Sequence, residues 1–441
     1  MVAMRYDLII HNGIIVTVNP DFEIFRSGFV AVKGGRVERV GHHGIEERLP
    51  DADVVIDAKE GIVLPGLVNT HTHLPMTLFR GLADDLSLMD WLNNHIFPAE
   101  AKHVNPDSVH TGTLLGCAEM LLGGTTTCCD GYFYESKVAE AVEQTGMRAV
   151  LAQGVIDFPA PGVPDPAENV NYAAAYTESW MNRNPKIRPS LFCHSPYTCA
   201  ADTLKRAKAA ATQKGVLFQI HVAETRTERD QILKEHGLSP VQYLDRIGVL
   251  DANTLLVHAV WVDAADIVTI ADRGAKISHT PGSNMKLAVG VAPVPEFLKA
   301  GICTGIGTDG SASNNNLDLF QEMNLTAKIH KVHTLDPTVI DARSALEMAT
   351  INGARAIGLD ADIGSIETGK WADMIVVNTR QPHLTPLYNP ASHLVYCASG
   401  ADVRDVIVSG QVVVRDRNLL TLDLEDVLDR ATAIARKIGK T

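Results

Sequence analysis

No stretch of this chain stays apolar for the roughly 20 residues that a membrane-spanning helix needs, so no membrane span is expected. The start, Met1-Val-Ala-Met-Arg-Tyr-Asp-Leu-Ile-Ile, has no long apolar run leading to a cleavage site, so no leader and a cytoplasmic location are expected. Basic residues are in deficit: 39 Lys and Arg against 52 Asp and Glu leave a formal charge of −13. A nucleic-acid partner needs a basic stripe, and none is present. The seven cysteines (117, 128, 129, 193, 199, 303 and 397) are odd in number and lack C-x-x-C spacing, which argues against a disulfide framework and reads as buried thiols. What is present is ordinary globular composition, 46% hydrophobic and 21% charged, which excludes disordered and fibrous classes. At 441 residues the chain is long enough for about three average domains, or for one barrel and a smaller unit.

The two ends resemble each other and differ from the middle. Residues 1–62 carry short β-rich runs such as Ile14-Ile-Val-Thr-Val and Phe29-Val-Ala-Val, separated by turn pairs such as Asn12-Gly13 and Gly34-Gly35. Residues 366–441 repeat the style in Ala372-Asp-Met-Ile-Val-Val and Asp405-Val-Ile-Val-Ser-Gly-Gln-Val-Val-Val. Neither end has enough strands to stand alone, so the two are expected to pair into one composite β-sandwich domain. Residues 423–437 form an amphipathic pattern expected to be a terminal helix capping that domain.

The middle, residues 63–365, alternates strand-like apolar runs with helical segments. The runs are 67–73, 125–130, 148–157, 189–195, 217–223, 254–258, 275–279 and 303–309. Such alternation predicts a parallel sheet, and eight units predict a closed (β/α)8 barrel. The polar residues fall at the C-terminal ends of these runs, where barrel enzymes keep their chemistry.

Strand one ends Asn69-Thr-His71-Thr-His73, and alternation on a strand sends both imidazoles to the same side. His221 ends the fifth strand with Glu224 three residues beyond, His258 ends the sixth, and Asp309 ends the eighth. Singly, each is equally consistent with a hydrogen-bonded residue at a strand end. Together, on four strands at one mouth, they point to a metal. The expected set is His71, His73, His221 and Asp309 around one divalent cation, zinc first and iron as the alternative, since both accept these ligands and the sequence does not choose between them. Such an ion lowers the pKa of water from about 15.7 toward 7.

The segments Pro65-Gly-Leu-Val-Asn-Thr-His-Thr-His73, His221-Val-Ala-Glu224, His258 and Gly307-Thr-Asp309-Gly-Ser together resemble the amidohydrolase superfamily. Met89-Asp-Trp91-Leu-Asn-Asn-His-Ile-Phe-Pro-Ala-Glu100, Cys-His194-Ser-Pro and Ser278-His-Thr-Pro-Gly-Ser-Asn-Met-Lys-Leu287 are similar to its 5′-methylthioadenosine/S-adenosylhomocysteine deaminase branch. The resemblance implies hydrolytic removal of the amine at C6 of an adenine nucleoside by hydroxide. In it, Glu224 is the proton shuttle, His258 orients the water, and Asp309 accepts the water's proton. Glu100 accepts the two ribose hydroxyls, Trp91 walls the thio-substituent, and His194 and Ser313 contact the nucleoside. It also implies one metal: binuclear relatives use a lysine near the end of strand four, where this chain reads Ser190-Leu-Phe-Cys-His194.

One departure concerns specificity. Members that act well on S-adenosylhomocysteine tend to carry arginines in and after strand three, where this chain has Gln153, expected to contact the substrate, and an arginine-free loop, Phe158-Pro-Ala-Pro-Gly-Val-Pro-Asp-Pro. A buried carboxylate without a cation is costly, so 5′-methylthioadenosine is the expected substrate, with adenosine next. Arg148 and Arg188 sit at the opening ends of their strands, away from this mouth. Other reactions on the same scaffold are a triazine chlorohydrolase or a guanine or cytosine deaminase. A non-catalytic scaffold is set apart by the presence here of every ligand. Relatives are often homodimers or larger homo-oligomers, and the sequence leaves that state open.

Overall fold

A computed structural model describes residues 5–42 and 49–439; the first four residues of the opening stretch considered above lie outside the described residues. The β-rich ends do pair. Strands β1 (Tyr6–Val16), β2 (Ile24–Lys33), β3 (Arg36–His42), β4 (Ala52–Asp57) and β5 (Ile62–Pro65) come from the first segment. Beyond the eight strands of the barrel between them, the second supplies β14 (Met374–Val377), β15 (Val403–Val408), β16 (Gln411–Arg415) and β17 (Asn418–Leu419). They form one mixed nine-stranded sheet in the order β17-β16-β15-β14-β5-β1-β2-β3, with β4 on β1. The joint between the chain's ends is the antiparallel pair β5–β14, in register from Ile62–Val377 to Pro65–Met374. Its Leu8, Ile10, Val30, Val63, Met374 and Val376 are fully buried in one apolar cluster. That buried face is the reason neither end stands alone.

Gly66 then leads straight from β5 into β6, so sheet and barrel are fused. A Cβ here would lie 2.1 Å from the Thr126 hydroxyl, so only glycine fits. The barrel strands are β6 (Leu67–Thr72), β7 (Thr125–Tyr132), β8 (Arg148–Val155), β9 (Ile187–Cys193), β10 (Phe218–Val222), β11 (Thr254–His258), β12 (Lys276–His279) and β13 (Thr304–Ile306). They pair in sequence order, all parallel, and nearly every position is buried. Burial on both faces is why these strands read as continuous apolar runs rather than alternating ones.

Most of the strands stop short of the expected ends, β8 at Val155 rather than 157 and β13 at Ile306 rather than 309, while β7 runs past 130 to Tyr132. The polar residues beyond them belong to the loops. The turn out of the ladder bends through left-handed backbone at Ala223 (φ 49°), His258 (φ 73°) and Asp309 (φ 61°). Non-glycine residues seldom adopt that conformation, and such strain gathers where side chains must be aimed. Among the described residues no ladder joins β13 to β6. That seam is closed by the Asp309 N–H donating to the His71 carbonyl at 3.0 Å and by Asn69, which bonds the Thr308 N–H (3.1 Å) and hydroxyl (2.8 Å).

The terminal helix, Leu424–Ile438, begins at an Asp423 cap but does not cover the sheet. It lies on the barrel helix Pro106–Leu122, where Val427 joins Leu114 and Ala141 and Arg430 donates to Thr111 at 2.9 Å. Its periodicity gave the helix and its apolar face, and the partner was set by the fold. No helix among the described residues is long and apolar enough to cross a membrane.

Both arginines at the opening ends of the strands are structural. Arg188 pairs with Asp362 at 2.9 Å. Arg148 forms a fork with Asp373 at 2.8 and 3.2 Å and bonds Ser409 at 2.7 Å, tying barrel to sheet in a fully buried bridge. Arg148→Met leaves Asp373 buried and unpaired, and is expected to destabilise the fold by about 3–5 kcal/mol in a denaturant titration. Adding Asp373→Leu should recover much of that loss.

Candidate metal centre and substrate cleft

β6 delivers His71 and, one residue past its end, His73; β10 delivers His221; and the seam delivers Asp309. Their ligand atoms all lie within 4.8 Å of one another. His71 Nε2 and His221 Nε2 are 3.0 Å apart, and Asp309 Oδ1 is 3.3 Å from His73 Nε2 and 3.6 Å from His71 Nε2. Ligand atoms at about 2.0–2.1 Å from a tetrahedral zinc are separated by roughly 3.3 Å, so these spacings fit a metal.

The chemistry of the donors fits as well. Burial lowers the pKa of His71 to about 4 and that of His221 well below the ordinary histidine value, so these imidazoles are neutral and offer lone pairs. His73 donates Nδ1–H to the Gly131 carbonyl at 2.7 Å, which leaves Nε2 as its free lone pair. The imidazoles beside Asp309, first among them His71, hold its carboxyl well below the usual range against the cost of burial. Asp309 divides its oxygens: Oδ1 faces the histidines, while Oδ2 accepts from Ser283 at 2.7 Å and Ser313 at 2.8 Å. One carboxylate and three neutral imidazoles carry a net charge suited to a divalent cation.

Beside this cluster opens a cleft of about 750 Å³. Glu224 and His258 line it, Glu224 Oε2 standing 3.7 Å from His258 Nε2. Burial, with Asp309 nearby, raises the Glu224 carboxyl to about 8. His258 Nδ1 is engaged by Asn284 Oδ1 (3.0 Å) and Thr280 (2.8 Å), which turns Nε2 to the cleft. The bend carrying Glu224 is itself held: the N–H groups of Ala223 and Glu224 donate to the buried carboxylate of Glu228 at 2.7 and 2.9 Å. Glu228 was not singled out in the sequence, although Thr225-Arg-Thr-Glu228 has the spacing of a helix capping box, and Thr225 does accept the Glu228 N–H at 3.0 Å.

The remaining residues divide. Trp91, Glu100 and His194 line the cleft, with Trp91 forming an apolar wall alongside Leu88, Leu92 and Phe97. Glu100 is buried, receives the Tyr132 hydroxyl at 2.5 Å, and has its carboxyl raised by burial to about 7. His194 is kept neutral, its pKa lowered by burial to about 3, with Nδ1 2.9 Å from the Thr198 hydroxyl. Ser313 also lines the cleft, but it spends its hydroxyl on Asp309. Gln153 is a correction: it is not among the lining residues, and its Oε1 accepts the Glu135 N–H at 3.1 Å at the start of the next helix. Among the described residues no Lys or Arg lines the cleft.

The amidohydrolase family model matches residues 62–413. A 5-methylthioadenosine/S-adenosylhomocysteine deaminase of Syntrophobacter fumaroxidans is 46% identical over 99% of this chain and 100% of its own. A 5′-deoxyadenosine deaminase of Methanothermobacter thermautotrophicus is 48% identical over 88% of this chain and 90% of its own. The crystal structure of an adenosine deaminase from Xanthomonas campestris with bound zinc superposes with a TM-score of 0.97 at 35% identity, covering 100% of both chains. The fused sheet and barrel, the ligand set at the seam and these full-length similarities agree: the chain belongs to the amidohydrolase family.

Proposed function

We propose that this protein hydrolytically deaminates adenine nucleosides, with 5′-methylthioadenosine preferred over adenosine and S-adenosylhomocysteine, and releases the inosine analogue and ammonia. His71, His73, His221 and Asp309 hold one divalent ion, zinc. When bound, that ion supplies Lewis acidity that brings the ionisation of water toward neutral pH. The observation that carries the reading is a single cleft that joins the ligand cluster, a buried protonatable carboxyl beside it, and an apolar wall with a second buried carboxyl.

The chain's own groups divide the work. Attack at C6 makes the ring nitrogen next to it basic, and the departing amine needs a proton too. Glu224, kept largely protonated by burial, delivers the first proton and carries the second. His258 presents Nε2 as an acceptor that orients the attacking water, and Asp309 takes the water's proton. Glu100 accepts the ribose hydroxyls as a two-oxygen acceptor. Trp91 and its apolar neighbours receive the 5′ substituent.

Specificity follows from the missing cation. With no Lys or Arg on the cleft wall among the described residues, the amino-acid carboxylate of S-adenosylhomocysteine finds no cationic partner among them. Leaving a buried charge unpaired costs more than the about 1.4 kcal/mol that separates tenfold rates. The kcat/KM for 5′-methylthioadenosine, followed by ammonia release, is therefore expected to exceed that for S-adenosylhomocysteine by at least about tenfold. Equal or reversed values overturn the preference. Metal-loaded protein that releases no ammonia from any adenine nucleoside overturns the reaction itself.

A further inference from the structure

Both ends of the cleft are anchored on the end of one strand. β7 closes with Asp130-Gly131-Tyr132. The Gly131 carbonyl receives Nδ1–H of the metal-centre residue His73, and the next residue, Tyr132, donates its hydroxyl to Oε1 of Glu100 at 2.5 Å. Tyr132 and Glu100 are 4% and 5% exposed, so the bond is buried at the cleft wall. That strand end packs closely on its neighbour: a Cβ on Gly131 would lie 2.6 Å from the Phe192 ring.

Glu100 has no comparable anchor of its own. It sits on the short helix Phe97–His103, outside the barrel ladder, and among the described residues no protein donor meets its second oxygen, Oε2. Burial pushes the Glu100 carboxyl up to about 7, while the Tyr132 bond pulls it the other way, toward the ionised form with lone pairs for two hydroxyls. Burial and the facing carboxyl keep the phenol itself well above its ordinary pKa, so it remains a donor.

We infer that Tyr132 is a positioning residue for sugar recognition: by holding Oε1 of Glu100 at a set reach from His73, it makes the cleft select nucleosides that carry a vicinal diol. This rests on the reading of Glu100 as the ribose acceptor.

The test compares adenosine with 2′,3′-dideoxyadenosine, which differ only in the diol, in metal-loaded wild type, Tyr132→Phe and Glu100→Gln. Tyr132→Phe is expected to raise KM for adenosine about tenfold, the worth of one hydrogen bond to a charged group. It should leave kcat within about twofold and leave KM for the dideoxynucleoside unchanged. Glu100→Gln should raise KM for adenosine at least as much, and the double variant should add little to it. If Tyr132→Phe moves KM for both nucleosides equally, or for neither, while Glu100→Gln moves only adenosine, the role of Tyr132 is overturned and that of Glu100 stands. If Glu100→Gln also fails to separate the two nucleosides, the ribose reading falls and takes the inference with it. A melting temperature and metal content equal to wild type exclude a folding defect as the cause of a raised KM, and a variant that loses its metal counts against the inference.

Discussion

Replacing Glu224 with Gln is expected to lower kcat for adenine nucleosides by about 10²–10⁴-fold, the usual worth of a positioned acid or base. The amide keeps the size of the side chain and its place at the bend, but it cannot give up and regain a proton. Glu224 is not among the four clustered ligands, so bound metal, measured on the purified variant, should stay at the wild-type level. Loss of turnover with metal retained separates proton transfer from metal binding. A variant that keeps more than about a tenth of wild-type kcat would show that the proton travels by another route.

The second large effect is expected at Asp309. It is the one carboxylate of the cluster, and its removal leaves three neutral imidazoles to hold a divalent cation. Asp309→Ala should lose both the ion and all measurable ammonia release. The graded control is Ser283→Ala, which removes one of the two hydroxyls on Oδ2 and leaves Ser313 in place. Outer partners of this kind are worth about 10–100-fold in metal affinity or activity. A competition titration with a coloured chelator should therefore rank wild type above Ser283→Ala, and Ser283→Ala above Asp309→Ala. Wild-type affinity in the alanine variant at 309 would mean that the cation sits elsewhere.

Much of this was legible because barrel chemistry leaves a linear trace. Continuous apolar runs that end in His or Asp are visible without coordinates, and the alternation His71-Thr-His73 places two imidazoles on one side of one strand. What could not be read is whatever depends on neighbours across the fold. Gln153 lies in a strand whose both faces are buried, so no polar–apolar alternation told which way its amide turned, and it turned to Glu135. Ser313 is visible near Asp309 in the sequence, but only the closed seam shows that its hydroxyl belongs to that carboxylate. The Tyr132–Glu100 bond joins a strand to a helix 32 residues away, with no periodicity to announce it. The terminal helix shows the same limit, since amphipathicity reports that a face is covered and not by what.

The open ladder between β6 and β13 has a consequence for the molecule as a whole. The two barrel strands farthest apart in the chain are fastened by an N–H of Asp309 on a carbonyl of His71, the residues whose side chains would share the cation. Were both residues to grip a shared ion, that fastening would become a rivet, and prying the ring apart would first have to release the ion. Occupancy and closure then stabilise each other by mass action. Slowed hydrogen exchange at the amides of Thr308 and Asp309 on metal loading would register the filled mouth from the scaffold's side.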